Sequence, residues 1–138
     1  MSFLLDTNAV SEWVKPRPNP GLIRWMESAD EDRIFISVVS LAELHYGVER
    51  MAAGSRRSRL EQWLQHDLPL RFESRILPVD TNVAEAWGRT VSRSEAAGHP
   101  IGAMDAFLAA TAETHHLTLV TRNVSDFRLL KAVLNPWT

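Results

Sequence analysis

The chain has 138 residues, a hydrophobic fraction of 45% and a formal net charge of -2. That length and composition give one globular domain, residues 1–138, able to bury a proper core, and exclude a disordered segment. The mildly acidic balance argues against a globally basic, high-affinity nucleic-acid binder, though not against an enzyme that touches nucleic acid locally. Cysteine is absent, which rules out disulfide frameworks, thiolate metal sites and cysteine nucleophiles and fits a reducing compartment. No apolar run reaches membrane-spanning length and no basic-then-apolar leader opens the sequence, so a soluble cytoplasmic protein without a membrane partner is expected.

Phe3-Leu4-Leu5 is an uninterrupted apolar run, the pattern of a strand buried on both faces of a parallel sheet. It stops abruptly at Asp6-Thr7-Asn8, where an open α/β sheet gathers functional groups beyond its strands' carboxyl ends. Ala9 to Val14 reads as a short helix, halted by the proline-rich Lys15–Pro20 segment. Leu22, Trp25, Met26 and Ala29 then form one helical stripe. Ile34-Phe35-Ile36, continued by Val38 and Val39, reads as strand two, and Ser40 as the start of a helix facing inward with Leu41, Leu44, Val48 and Met51, ended by Gly54.

Ser55 opens a further helix with Leu60, Trp63, Leu64 and Leu68 on one face. Ile76-Leu77-Pro78-Val79 reads as a short strand, central enough to be buried but weakened by its proline. Asp80 or Thr81 caps a helix carrying Val83, Trp87 and Val91; Gly98, Pro100 and Gly102 punctuate the chain. The next helix turns Met104, Phe107, Leu108 and Thr111 inward. Leu117–Thr121 is a strand, Arg122–Phe127 a loop entering a helical turn, and Ala132-Val133-Leu134 a last edge strand. Strands alternating with helices predict βαβ units, right-handed crossovers and a mostly parallel sheet.

That topology brings helix N-termini to the carboxyl edge of the sheet. Asp6 ends strand one, Glu43 falls in the first turn after strand two, Asp105 in the first turn after the glycine loop, and Asn123 and Asp126 just past Thr121. Each acid alone has a modest explanation as a helix cap or first-turn acid, and Ser40-Leu41-Ala42-Glu43 is formally a capping box. Four acids on one edge are not explained that way. Bare carboxylates in one crevice repel and raise one another's pKa unless a cation compensates. Mg²⁺ suits such a site: it takes oxygen ligands from a few carboxylates plus waters and leaves positions for substrate phosphate. Zn²⁺ would want His or Cys, and the histidines are scattered except for His115-His116. Thr7, Asn8, Thr121 and Asn123 are candidates to orient the carboxylates, and Arg122 to meet a phosphate or a carboxylate. Arg56, Arg57 and Arg59 read as a solvated helix start, His115 and His116 as surface residues in a last helical turn, and the five tryptophans mostly as core. No histidine stands near the acidic edge except His99.

Leu5-Asp6-Thr7-Asn8, Ser40-Leu41-Ala42-Glu43-Leu44 with Gly47, Ile101-Gly102-Ala103-Met104-Asp105-Ala106, and Leu119-Val120-Thr121-Arg122-Asn123 through Asp126-Phe127 together resemble the PIN-domain family. The likeness is to the toxin half of VapBC-type toxin–antitoxin pairs, FitB-like proteins included, whose terminal Asn-Pro-Trp matches Asn135-Pro136-Trp137. It spans nearly the whole chain. The resemblance implies an α/β/α sandwich, a homodimer, and a Mg²⁺- or Mn²⁺-dependent endoribonuclease acting on RNA. It also implies a cognate antitoxin that covers the acidic site and carries the DNA contact, so that DNA is met only indirectly. Asp6, Glu43 and Asp105 carry over as catalytic, metal-holding residues. The fourth acid stands at the Asn123 position in some relatives and at the Asp126 position in others. Asp126 is taken here, with Asn123 as an orienting neighbour.

Rival readings are testable on the same residues. An aspartyl-nucleophile phosphatase would want a second Asp where Asn8 stands, and a receiver-like domain would want a Lys where Arg122-Asn123 follows the late strand. A non-catalytic acidic subunit that docks a basic partner would bind without turnover and ignore chelators.

Overall fold

In a computed structural model covering residues 1–138, β1 (Phe3–Leu5) runs into α1 (Thr7–Trp13) and α2 (Pro20–Ser28). β2 (Ile34–Ser37) passes directly into α3 (Val38–Glu49), and α4 (Ser55–Gln62) continues through a π-helical stretch, Trp63–Asp67, into α5 (Leu68–Phe72). β3 (Ile76–Leu77), α6 (Thr81–Ala96), α7 (Ala103–Thr114), β4 (Thr118–Val120), a 3₁₀ turn at Val124–Phe127 and β5 (Val133–Leu134) complete the chain. The five strands form one sheet in the order β3-β2-β1-β4-β5, with every neighbouring pair parallel. β1 is central, with Leu4 opposite Phe35 on one side and Leu119 on the other.

Alternation along the central strands explains the layers. Leu5, Ile34, Ile36 and Val120 point to one face and join Ala9, Val10, Leu22, Val48, Leu64, Leu68 and Phe72 from α1, α2, α3, the π-helical stretch and α5. Leu4 and Leu119 point to the other face, against Leu108, Ala109 and Ala112 of α7 and Phe127 of the 3₁₀ turn. α6 packs on α7 through Val83, Ala86 and Ala110. The result is an α/β/α sandwich, as expected, with β1 buried on both faces. The tryptophans line the margins: Trp13, Trp25, Trp63 and Trp137 pack against the first cluster and Trp87 against the third. Asn19 caps α2 through Gly21 N–H and Leu22 N–H, with Pro20 at the first helical position. Gly21 is required by a close approach, because a Cβ there would run into the Pro136 carbonyl of the C-terminal segment.

Several expectations are corrected. Val38 and Val39 open α3 rather than extend β2, and its cap is Ser37, whose side chain accepts from Val39 N–H. β-branched pairs read alike in either setting, and the cap decides the boundary. β3 is not central but an edge strand of two residues, the position a following proline tolerates. α1 starts at Thr7, two residues early, and Met104 is exposed rather than inward. α3 ends at Glu49, before Gly54. His115 and His116 lie just beyond α7, His116 at φ 55.

Candidate active site

Asp6 is 5% exposed and sits where β1 gives way to α1. Its Oδ1 accepts the Thr7 N–H at 2.6 Å, and its Oδ2 accepts the Thr121 hydroxyl at 2.7 Å and the Asn8 amide at 3.3 Å. The capping role expected of Asp6 is therefore real, and it accounts for only one oxygen. Thr121 is fully buried just past the end of β4 and also accepts the Asn123 N–H at 3.0 Å. Asn8 reaches Thr121 Oγ1 at 3.3 Å and accepts the Arg122 N–H at 3.3 Å. Adjacent parallel strands deliver this pair: the Asp6 N–H bonds the Val120 carbonyl, so the two strand ends are in step.

Glu43 lies one turn deeper in α3 than expected, because the helix begins at Val38. The Ser40–Glu43 capping box does not form. Instead Glu43 Oε1 accepts the Thr7 hydroxyl at 2.6 Å, and Thr7 Oγ1 stands 2.9 Å from the Ser40 hydroxyl, which is placed to donate to it. Ser40 is thus a fully buried brace of the site. Sequence reasoning saw it only as a cap; a small hydroxyl residue three positions before an acid on a helix was the available signal.

Asp105 is in the first turn of α7, as expected, with no side-chain bond to the helix cap. Its carboxyl is pushed up to about 6, first by partial burial and then by the charges of Asp6, Asp126 and Glu43. Burial also raises Asp6 above the usual carboxylate range, with Glu43 and Asp126 adding to the rise and the Thr121 and Thr7 bonds opposing it. Asp105 therefore feels the charges of the other three acids named from the sequence, and Asp6 those of Glu43 and Asp126. Asp126 is exposed, in the 3₁₀ turn beyond β4. Asn123, at the start of that turn, is exposed and makes no side-chain capping bond.

The crevice is lined by Asp6, Thr7, Asn8, Glu43, Asp105, Arg122 and Asn123, whereas Asp126 lines a neighbouring groove that shares Asp105. Glu12, Lys15 and Trp137 also line the crevice, and sequence reasoning missed all three. Glu12 is a buried fifth acid, but it is spoken for. It bonds Lys15 Nζ at 2.9 Å and the Asn19 N–H at 2.9 Å, and the Lys15 bond, with the Asn19 bond and Arg122 nearby, holds its carboxyl below the ordinary value. Glu12 is ion-paired to Lys15, whereas none of the other four acids forms an ion pair.

The donor set is all oxygen. No three acidic or histidine side chains are drawn around one point as a closed cage. That suits a hard cation that keeps most of its waters and takes only one or two carboxylates, and it does not suit a fully protein-enclosed site. Asp6 and Asp105 are the pair whose raised pKa values a divalent charge would relieve most.

These features define the class: an α/β/α domain whose parallel sheet carries an oxygen-only acidic crevice at its carboxyl edge. The family model described as PIN domain matches residues 3–131, and the chain belongs to the PIN-domain family. It is 36% identical to Toxin FitB of Neisseria gonorrhoeae, over 98% of each chain, and 30% identical to VapC ribonuclease Y4jK of Sinorhizobium fredii, over 98% of this chain and 97% of that one. A solved structure of FitAB bound to an IR36 DNA fragment superposes with a TM-score of 0.92 at 34% identity, covering 99% of this chain and 96% of the other.

Proposed function

We propose that this chain is a divalent-metal-dependent endoribonuclease and the toxin of a toxin–antitoxin pair. The observation that carries the reading is the convergence of Asp6, Glu43, Asp105 and Asp126 on one edge, close enough that the other three all raise Asp105. Its relatives' names, a toxin and a ribonuclease, point the same way. Asp6 and Asp105 would hold Mg²⁺ or Mn²⁺ most directly, with Glu43 and Asp126 completing the cluster through waters or at a second ion. When bound, such an ion supplies Lewis-acid stabilisation of phosphate charge and an acidified water. The chain's own work is positional. Thr121 and Thr7 N–H lock both oxygens of Asp6, the Thr7 hydroxyl aims Glu43, and Arg122 stands beside the crevice for phosphate charge. Hydrolysis would leave 5′-phosphate and 3′-hydroxyl ends.

A second groove supports the antitoxin part of the reading. It has a volume of about 820 Å³, carries Val14, Leu44, Met51, Leu60 and Trp63, and begins at Thr7 and Glu43. An apolar antitoxin segment lying there would end beside the uncompensated acids, where a basic side chain would be favoured. DNA would be reached through the antitoxin, as the DNA-bound FitAB complex suggests. The same reading takes a homodimer, measured by light scattering of the purified chain.

The deciding experiment incubates purified, partner-free protein with cellular RNA in Mg²⁺, Mn²⁺ or EDTA, beside an Asp6→Asn variant. Cleavage that needs metal and is lost in the variant supports the nuclease. RNA left intact in every condition by folded protein overturns it and favours an acidic docking subunit.

A further inference from the structure

We propose that the polar groove beyond Asp105 holds the RNA strand flanking the cleaved bond, with Arg128 and His99 gripping its neighbouring backbone phosphate. The inference rests on the nuclease reading and names the missing half of substrate binding. The groove, of about 380 Å³, runs between the end of α6, the Gly98–Gly102 loop, the start of α7 and the 3₁₀ turn, and Asp105 and Asp126 stand in its wall. Asp105 also lines the acidic crevice, so the two clefts share a wall.

Charge together with the polar character of the lining makes the assignment. A diester strand carries one negative charge per nucleotide, and the four acids repel every phosphate except one neutralised by a cation. The next phosphate must meet positive donors outside the acidic cluster. Three basic side chains line the groove: Arg93, His99 and Arg128. Arg93 is already taken, its Nη2 lying 2.9 and 3.1 Å from the two carboxylate oxygens of Glu113. Arg128 is exposed and forms no ion pair; its Nη1 lies 3.4 Å from His99 Nδ1. Its guanidinium therefore keeps donors in the fork geometry that matches a phosphate. The other groove adjoining the crevice places Arg56 and Arg59 beside Val14, Leu44, Met51, Leu60 and Trp63, an apolar-rich surface that suits a protein segment.

The groove is also built rather than incidental. Gly98 takes φ 77 to close α6, and the His99 N–H bonds the Ser94 carbonyl at 2.9 Å, so His99 is held by helix-end geometry. Ser94 is buried along this wall, and Thr90 is buried with its hydroxyl lacking any protein partner. Both residues belong to the wall of the groove.

The test separates this inference from the nuclease reading. Binding of a fluorescein-labelled single-stranded RNA 12-mer (roughly one turn of contacts) is measured by anisotropy in the Asp6→Asn background, which removes turnover. Arg128→Ala, Arg128→Lys and His99→Ala are compared with Arg24→Ala, an exposed arginine of α2 outside the groove. Arg128→Ala is expected to weaken binding about tenfold and to flatten the log K against log salt slope by about 0.7. His99→Ala should weaken it less, Arg128→Lys should recover part of the loss, and Arg24→Ala should leave it unchanged. With wild-type Asp6 restored, Arg128→Ala should lower kcat/KM on RNA through KM while leaving hydrolysis of bis(p-nitrophenyl) phosphate, which has no flanking phosphate, unaltered. Equal loss on both substrates, or Arg128→Ala binding RNA as tightly as Arg24→Ala, overturns the groove. RNA cleavage that ignores Arg128 sinks the groove alone. Arg128-dependent binding by a protein that cleaves nothing sinks the nuclease reading alone.

Discussion

Asp6 and Asp126 carry the same carboxyl group on one edge of the sheet, yet their surroundings have little in common. Asp6 is buried between β1 and β4, with both oxygens engaged by the Thr7 N–H, the Asn8 amide and the Thr121 hydroxyl. Asp126 is exposed in a 3₁₀ turn, and partly buried Asp105 shares one cleft with Asp6 and another with Asp126. One side of the edge is held by hydrogen bonds before anything binds; the other presents an exposed carboxylate. On the proposed nuclease reading, a site that places an ion and admits a long substrate would gain from that division, because preorganisation is needed where charge is held and access where the strand enters.

The largest effect expected from breaking the fixed side is on turnover. Asp6→Asn keeps shape and most hydrogen bonds but removes the central charge, and metal-dependent RNA cleavage should fall by about 10³-fold or more. A variant within tenfold of wild type, in a quantitative cleavage assay, would place the ion elsewhere. Next is Thr121→Val, which strips Asp6 Oδ2 of its shortest donor and leaves the Asn123 N–H without its acceptor. Urea denaturation should show a loss of about 1–3 kcal/mol, whereas Asn123→Ala, which removes only an exposed side chain, should show almost none.

Thr7→Val should reduce kcat about tenfold by freeing Glu43, and Thr7→Ser, which restores the hydroxyl bonded to Glu43 Oε1 at 2.6 Å, should recover most of it. If the serine variant is as slow as the valine, the hydroxyl is not what matters. On the open side, Asp126→Asn should cost more activity than Asn123→Ala, since Asp126 and not Asn123 contributes charge at Asp105; the reverse order would move the fourth acid to the Asn123 position.

The smallest expected effect is a pH-dependent one. The Asp105 carboxyl rises from 3.8 to about 6 on folding. Below pH 3.8 it is protonated in both states and contributes nothing. Between 3.8 and about 6 the folded chain holds the proton more tightly than the unfolded one, so stability falls as pH rises, and above about 6 the penalty is complete. Metal-free Asp105→Asn should therefore melt with wild type at low pH and a few degrees above it once pH exceeds about 6. Added Mg²⁺ should narrow that gap by stabilising only wild type. A gap that is constant with pH would mean the substitution acts through packing instead.

Much of this was legible in the residues. Phe3-Leu4-Leu5 announced a doubly buried strand because nothing polar interrupts it, and Asp6 announced the strand's end. Asp105 was placed in a first helical turn by the glycines before it. Glu43 was assigned to the right edge for a partly wrong reason: with Val38 and Val39 read as strand, it fell in a first turn and looked like a capping partner of Ser40. Glu12 escaped notice because an isolated glutamate in a short amphipathic stretch carries no signal of its own. Its importance comes from Lys15 and Asn19 folding back over it. The C-terminal Trp137 was recognised only as part of a terminal motif, since contact with the crevice depends on the chain returning past Gly21.

Local pattern therefore determined the alternation of strands and helices, the parallel sheet and the identity of the acids gathered at its carboxyl edge. These follow from periodicity and the handedness of βαβ crossovers, which act over short stretches of chain. Only the tertiary structure decided which acid is locked, which are left exposed and charged, and which is neutralised. Those outcomes depend on partners far apart in sequence, Thr121 for Asp6 and Thr7 for Glu43. The cost of burying a charge is set by what the folded chain brings beside it.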